Sequence, residues 1–143
     1  MPTPLMEPST RIALAAFLHD LGKFAQRADI PIKKSDLDFA KQQYCPKVSK
    51  ERGGYYTHVH AAYTSAALDA IEPMMPSLKG DDVFPFGSWK TREADNSLIN
   101  AAAMHHRPET FLQWIIATAD RVASGFERET FEKYNQGPPV ESV

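Results

Sequence analysis

The sequence is almost free of cysteine, since Cys45 is the only one in 143 residues. It cannot form an intramolecular disulfide, and no group of cysteines can bind zinc, which favours a reducing, cytoplasmic setting. Long hydrophobic runs are also missing. The longest, Ile12 to Leu18, is far shorter than the roughly 20 residues that span a bilayer. The start Met1-Pro2-Thr3-Pro4 lacks the basic segment and apolar stretch of a signal peptide, so we expect no membrane association.

Neither positive nor negative charge dominates the sequence. The chain has 16 Lys and Arg against 18 Asp and Glu, a formal net charge of -2 at pH 7. This balance is not that of a general nucleic-acid binder, so any nucleic-acid site must be local. At this length and with 43% hydrophobic residues, the chain can build one domain with a sizeable core. We expect that domain at residues 1–136, with 137–143 as a flexible tail or the start of a linker.

The pattern of apolar residues and breakers predicts helices throughout. After a poorly ordered lead-in at residues 1–8, Ser9 or Thr10 caps a helix that runs to about Ala28. A short helix at 35–41 and a basic, flexible loop containing Lys47, Lys50 and Arg52 follow. The next helix is predicted from His58 to Ile71, because prolines end it.

The second half continues in the same way. Residues 77–94 are predicted to form an irregular excursion that covers part of the core. Asp95 or Asn96 caps a helix that ends at about His105, and Pro108 starts a last helix to about Tyr134. No repeat and no convincing strand is found. The predicted class is all-α, a helical bundle with irregular loops.

A histidine and an aspartate stand side by side in the first predicted helix, at His19 and Asp20. They lie in an apolar run, where an unpaired carboxylate would be costly. A divalent metal is a natural partner for this pair, although a His-Asp dipeptide alone is a weak motif. A simple ion pair between Asp20 and Lys23, three residues on, is the alternative.

The other histidines come in two pairs, His58/His60 and His105/His106, and Asp120 lies in a later apolar run. Capping, or hydrogen bonding within the bundle, would explain any one of them. Together they supply enough ligands for one or two metal ions in a helical bundle. Imidazole-rich sites favour Mn, Fe, Co, Ni or Zn over Mg. If both residues of the pair 105/106 were helical, their side chains would point about 100° apart and hardly share one ion.

Four sequence blocks resemble the HD phosphohydrolase superfamily. More narrowly, the chain is similar to the permuted HD nuclease domain of the large subunit of type III CRISPR effector complexes. The first and last blocks are the most specific. The blocks are Phe17-Leu18-His19-Asp20-Leu21-Gly22-Lys23-Phe24-Ala25-Gln26-Arg27-Ala28, Thr57-His58-Val59-His60-Ala61-Ala62-Tyr63-Thr64, Ala103-Met104-His105-His106-Arg107-Pro108 and Ala119-Asp120-Arg121-Val122-Ala123-Ser124-Gly125-Phe126-Glu127-Arg128-Glu129.

This resemblance implies an all-α HD domain with a divalent transition metal and DNase activity on single-stranded DNA. It also implies a place among the subunits of an RNA-guided antiviral complex. Catalytic roles fall to His19, Asp20, His105 and His106. The implied metal ligands are His19, Asp20, His60, His105, His106 and Asp120, with His58 as the reserve for His60. Cations that could meet the nucleic acid are Lys23, Arg27 and Arg107, with Lys47, Lys50 and Arg52 as further candidates.

The chain departs from the family in two respects. Ordinary HD enzymes carry a ligand histidine before the His-Asp pair, whereas none precedes His19 here, as the permuted arrangement allows. The Gly-Gly-Asp-Asp motif of the cyclic-oligoadenylate-forming palm domains is also missing. The chain is therefore expected to be a domain cut from a larger protein near Val143, with palm domains as partners, or a stand-alone relative. A degenerate HD domain that serves assembly and a nucleotide phosphohydrolase are the alternative functions.

Overall fold

The computed structural model describes residues 8–76, 84–87 and 94–135, with side chains as far as Gly125. Six α-helices follow one another in this part of the chain, and short 3-10 turns connect some of them. The helices are α1 (Pro8–Leu18), α2 (Leu21–Arg27), α3 (Lys34–Tyr44), α4 (His60–Ile71), α5 (Leu98–Ala103) and α6 (Phe111–Asn135). Within the described ranges the only β-pairing is an isolated bridge between Lys47 and Tyr56. The predicted all-α class is confirmed.

The first predicted helix is interrupted at His19 and Asp20, which form a turn between α1 and α2. A continuous helix to Ala28 was therefore the wrong prediction. The interruption has a partner distant in sequence: the Thr64 hydroxyl on α4 lies 2.9 Å from the His19 carbonyl oxygen and accepts a hydrogen bond from the Gly22 amide at 3.0 Å. Backbone groups that a continuous helix would pair internally are bonded to the Thr64 side chain of another helix instead. The turn therefore does not leave these buried groups unpaired.

Helix α5 lies at the centre of the bundle, because all six of its residues are buried. Its sequence is small and apolar, and its three alanines allow neighbouring helices to approach closely. One core cluster contains Leu68 of α4, Ile99 of α5 and Ile116 of α6. A second cluster, around Tyr44 and Cys45, packs on the other half of α4 and on the end of α5. Both clusters meet at α4 and α5, so these two helices fix the positions of the residues at their ends.

Several helix limits differ from the predicted ones. Helix α4 starts at His60 rather than at 58, since His58 has a positive φ of 53°. The Ser97 side chain, not Asp95 or Asn96, caps α5 by accepting from the Asn100 amide. Pro108 does not start the last helix. Thr110 and Gln113 form a reciprocal capping box instead, with the Thr110 amide donating to Gln113 Oε1 at 3.2 Å.

Two predictions fall largely outside the described residues, namely the lead-in at 1–8 and the tail at 137–143. Only 84–87 and 94 are described from the predicted excursion at 77–94. There Phe86 joins the core, and the buried Arg11 of α1 donates to the Phe84 carbonyl at 2.6 Å. None of the helices in the described ranges combines the length and apolarity needed to cross a bilayer.

Candidate metal centre

The six predicted metal ligands come together in the folded chain, mostly from the ends of helices. His19 and Asp20 lie in the turn between α1 and α2, and His60 is the first residue of α4. His105 and His106 follow the end of α5, and Asp120 is contributed by α6. Side chains at helix ends are held by the packed helix behind them and still reach a common point, as in metal sites of helical bundles.

Two overlapping groups of side chains could each hold an ion. The first contains His60, His105 and His106, and the second contains His19, Asp20 and His105. Within each group the ligand atoms lie within 4.8 Å of one another. His105 belongs to both groups. The Nε2 atoms of His60 and His106 are only 2.9 Å apart, and His60 Nε2 is 3.6 Å from Asp20 Oδ1. The arrangement could therefore serve one ion or two.

Asp120 extends the second group. Its Oδ1 lies 3.2 Å from His19 Nε2, and it accepts a hydrogen bond from the Ser124 hydroxyl at 3.3 Å. Asp20 Oδ2 lies 3.4 Å from the same nitrogen, His19 Nε2. Two carboxylates therefore face one imidazole nitrogen, and they concentrate negative charge where a cation would bind.

Hydrogen bonds assign the tautomers of two of the imidazoles. His19 Nδ1 contacts the Ala16 carbonyl, and His105 Nδ1 lies 2.7 Å from the Ala102 carbonyl. Because a carbonyl only accepts, each Nδ1 carries a proton, so Nε2 is the ring atom that each histidine can offer to a metal. At His19 this Nε2 faces carboxylate oxygens, which also act only as acceptors. Such a contact between acceptors is favourable only with a proton or a metal cation between them.

His105 is the candidate ligand whose buried ring nitrogen most clearly needs a bound cation. Its side chain is buried, and its Nε2 has no hydrogen-bond partner among the described residues, the Asp20 Oδ1 being 3.9 Å away. A buried polar atom left unpaired costs on the order of 1–3 kcal/mol. His105 belongs to both metal groups. A bound metal ion would remove the cost, and the carbonyl on Nδ1 is the usual support of a metal-binding imidazole.

Burial also prepares the imidazoles as ligands. It lowers the pKa of His105 to about 4, against a smaller opposing effect of the Ala102 carbonyl. Burial, together with the neighbouring His105, His58 and His60, lowers the pKa of His106 to about 3. The pKa of His60 is lowered by burial as well. These rings are thus neutral at pH 7, the form that binds metals.

Asp20 keeps its charge for a different reason. Burial by itself would raise the pKa of this carboxyl, but the hydrogen bond from Lys23 and the charges of His19 and Lys23 outweigh it. The net result is a pKa below the usual value, so the ligand is an anion at neutral pH. The Lys23 ammonium contacts Asp20 Oδ2. The ion pair considered as an alternative to metal binding is therefore formed, and it leaves Oδ1 facing the histidines.

Gly22 and Thr64 hold the turn that carries His19 and Asp20, and neither was predicted as a site residue. A Cβ at position 22 would lie 1.9 Å from the His60 carbonyl oxygen and 2.4 Å from the Thr64 amide nitrogen. Only glycine allows α2 to lie this close to α4. Nothing local in the sequence indicates the contact, because Gly22 and Thr64 are 42 positions apart.

His58 stays outside both metal groups. Its ring lies beside that of His106, with centroids 4.0 Å apart and planes tilted by 35°. His105 and His106 are not helical, since α5 ends at Ala103. The premise that separated them by about 100° therefore fails, and their rings lie 4.1 Å apart. Both can face the same ion.

The predicted nucleic-acid cations are placed differently from one another. Lys23 lines a cavity of about 290 Å³ together with His19, Asp20 and Asp120. Arg107 donates to the Gln42 carbonyl at 2.8 Å and lies 3.7 Å from Glu109, so it is engaged within the fold. Arg27 is exposed at the end of α2. A larger cavity of about 610 Å³ lies between α3, α4 and α5, away from these ligands.

The cluster can hold a divalent metal beside a solvent-accessible cavity. Four imidazoles and two carboxylates are a donor set for transition metals rather than for Mg or Ca. No family model, no curated protein and no solved structure matches the chain significantly. The chemistry of the residues is therefore what carries the functional interpretation.

Proposed function

We propose that the chain is a metal-dependent phosphodiesterase whose centre is the cluster of His19, Asp20, His60, His105, His106 and Asp120. The observation that carries the proposal is the buried Nε2 of His105, which has no hydrogen-bond partner in the described part of the chain. His105 is also the residue that both metal groups share. A protein interior rarely leaves such an atom unpaired. The donor set fits Mn, Fe, Co, Ni or Zn.

A metal bound here would polarise a phosphoryl oxygen and lower the pKa of a bound water. The chain itself would contribute position and charge. Neutral His60, His105 and His106 keep their lone pairs available at pH 7, and ionised Asp20 balances part of the metal's charge. Lys23 lies in the same cavity as His19 and Asp120, within reach of a phosphate oxygen once it leaves Asp20.

For the substrate we propose single-stranded DNA. The resemblance to HD nuclease domains of type III CRISPR effectors supports this choice, and so does the ligand cluster beside an accessible cavity. The partners would be the other subunits of an RNA-guided antiviral complex, with palm domains of the same protein where the chain is a fragment. An extended strand can reach a metal at the surface of a bundle, whereas a duplex has no obvious element here that enters its groove.

The decisive experiment combines metal analysis of the purified protein with cleavage assays. We expect bound transition metal and cleavage of single-stranded oligonucleotides that Mn, Ni or Co supports. Blunt duplex should resist. Release of phosphate from mononucleotides without cleavage of oligonucleotides would favour the nucleotide phosphohydrolase. Failure to bind Mn, Co, Ni or Zn at micromolar concentration would contradict the proposal.

One observation favours a role in assembly as the second candidate. Helix α6 exposes large apolar side chains, with Phe111 78%, Trp114 47% and Val122 53% exposed. Apolar side chains that recur on one helix in this way usually mark a surface for another protein. An intact fold that shows no metal-dependent cleavage, but binds other subunits of an effector complex, would favour this reading.

A further inference from the structure

Residues 46–57 form an ordered hairpin, here called the basic arm, between α3 and α4. The Val48 amide donates to the Tyr55 carbonyl at 2.9 Å, and the Thr57 amide donates to the Pro46 carbonyl at 2.9 Å. A 3-10 turn, Lys50–Arg52, closes the tip. The loop that was predicted to be flexible is thus pinned at its base and at its tip.

The turn of the basic arm depends on glycine. Gly53 has a φ of 106° and Gly54 a φ of 64°. Residues other than glycine adopt such positive φ angles only with strain. The Gly54 amide donates to the Ser49 carbonyl at 3.0 Å and closes the loop. An arm that is ordered before a ligand arrives pays less entropy on binding than a mobile loop would.

The basic arm carries a local excess of positive charge on a chain with net negative charge. Lys47, Lys50 and Arg52 stand against a single carboxylate, Glu51. All three cations are exposed, and none of them forms an ion pair with another described residue. The Lys47 ammonium lies 5.1 Å from the centroid of the Tyr56 ring. Exposed cations without carboxylate partners fit phosphate groups.

An aromatic ring accompanies these cations. Tyr55 is 59% exposed, although it lies in the hydrogen-bonded part of the arm. Unpaired bases stack on exposed aromatic rings irrespective of their sequence. Cations combined with such a ring suit a single strand, because the base faces of a duplex are stacked on one another.

The basic arm leads directly into the candidate metal centre. Thr57 is followed by His58, whose ring lies 4.0 Å from that of His106. The left-handed backbone at His58 turns the chain into α4, where His60 is the first residue. The Cys45 thiol and the Ala61 amide both donate to the His58 carbonyl, which fixes this junction.

We propose that the basic arm binds the single strand that flanks the scissile phosphate. Lys50 and Arg52 contact backbone phosphates, and Tyr55 stacks on an unpaired base. The inference rests on the proposed function, because it supplies the substrate's second contact beside the metal centre. An acidic protein surface would be the competing partner for the same cations.

The first test measures binding of a labelled single-stranded oligonucleotide by fluorescence anisotropy, using the whole chain. The double variant Lys50→Gln/Arg52→Gln keeps Lys47 and its contact with Tyr56. We expect weaker binding and a salt dependence shallower by about 1.4, at about 0.7 per lost phosphate contact on a single strand. The matched control, Lys33→Gln/Lys34→Gln, removes the same charge before and at the start of α3, and should bind like the wild type.

The second variant, Tyr55→Ala, tests the stacking. It should weaken binding by about 10-fold or more without changing the salt dependence, since stacking carries no counterion release. Circular dichroism confirms the fold of each variant. Unchanged oligonucleotide affinity in both the double variant and Tyr55→Ala would overturn the inference. Equal loss in the Lys33/Lys34 control would overturn it as well, because the effect would then be general.

A small substrate separates this inference from the proposed function. Bis(p-nitrophenyl) phosphate is a single phosphodiester, so it offers no flanking strand for Lys50, Arg52 and Tyr55 to bind. We expect the double variant to hydrolyse it at the wild-type rate and to cut oligonucleotides more slowly. If the wild type hydrolyses neither substrate with any metal, the proposed function fails, and the anisotropy still decides the inference. Loss of binding to polyglutamate with oligonucleotide binding intact would assign the arm to an acidic protein partner and overturn it.

Discussion

Replacing Gly22 by alanine would test whether the contact between α2 and α4 sets the geometry of the candidate metal centre. The new Cβ would lie 1.9 Å from the His60 carbonyl oxygen, whereas real Cβ atoms essentially never come within 3.0 Å of such an atom. The two helices must therefore separate by about 1 Å, since backbone atoms cannot rotate away as a side chain can. His60 would move away from His19 and Asp20, which precede α2.

The magnitude follows from two opposing effects. Alanine in place of glycine inside a helix normally stabilises a protein by about 0.5–1 kcal/mol. Overpacking costs about 1–3 kcal/mol, and loss of the bond between the Gly22 amide and Thr64 adds about 1 kcal/mol. We expect a net loss of about 1–3 kcal/mol in the free energy of unfolding. Metal sites tolerate ligand shifts of only about 0.2 Å, so affinity should fall by about 10-fold or more.

Urea denaturation and calorimetric titration with Mn or Ni would measure the two effects. Gly125→Ala is the matched control, because a Cβ there meets none of the described residues within 4 Å and Gly125 also lies inside a helix. That variant should be stabilised by about 0.5–1 kcal/mol, with metal affinity unchanged. A Gly22→Ala protein with wild-type stability and wild-type affinity would refute the reasoning. Lower stability with unchanged affinity would show that the contact supports the fold alone.

Three further predictions concern the ligands. Asp20→Asn should keep the fold by circular dichroism and lose at least about 100-fold in metal-dependent diester hydrolysis, and full activity would remove Asp20 from the centre. His105→Ala should lose more activity than His106→Ala when both are assayed across Mg, Mn, Ni and Co, because His105 belongs to both groups. Equal loss in the two variants would contradict this, and Mg-only activity with both variants fully active would remove the pair from the centre. Burial lowers the pKa of His105 to about 4, so the folded metal-free protein binds fewer protons than the unfolded chain below about pH 6.5. Urea unfolding should therefore show stability falling from pH 6.5 towards 4, and a flat profile would contradict the argument.

Local pattern was sufficient for the class of the fold and for most helices. The apolar periodicity of α4 and α6 and the breakers after Ile71 predicted these helices within a few residues of their observed ends, whereas α1 and α2 were predicted as one helix. The exact caps were missed, because several candidates stood side by side. Ser97 rather than Asp95 or Asn96 caps α5, and Thr110 with Gln113 rather than Pro108 begins α6. Choosing among such neighbours depends on which side chain can reach an amide, and this is settled by packing.

The convergence of the predicted ligands was a hypothesis that spacing alone could not test. His19 and Asp120 are 101 positions apart, and only the packed bundle brings them to 3.2 Å. The turn at His19 and Asp20 was not predicted either, since the local sequence favours a continuous helix. The turn is held by the Thr64 hydroxyl, a single side chain from another helix. The ordered conformation of the basic arm could not be predicted from the sequence either. Its hydrogen bonds join residues on the two sides of a tip whose polar, glycine-containing sequence is typical of a flexible loop.

The separation of 101 positions between His19 and Asp120 also has a consequence for the order of synthesis. A ribosome adds about 5–20 residues per second, so roughly 5–20 s pass between the appearance of the first ligand pair and of Asp120. During that interval His19 and Asp20 exist on a chain that lacks α6. The His60 group needs only residues up to 106, so it is complete earlier. The second group therefore acquires its Asp120 neighbour only when α6 joins the other helices, whereas the His60 group can bind an ion before that step.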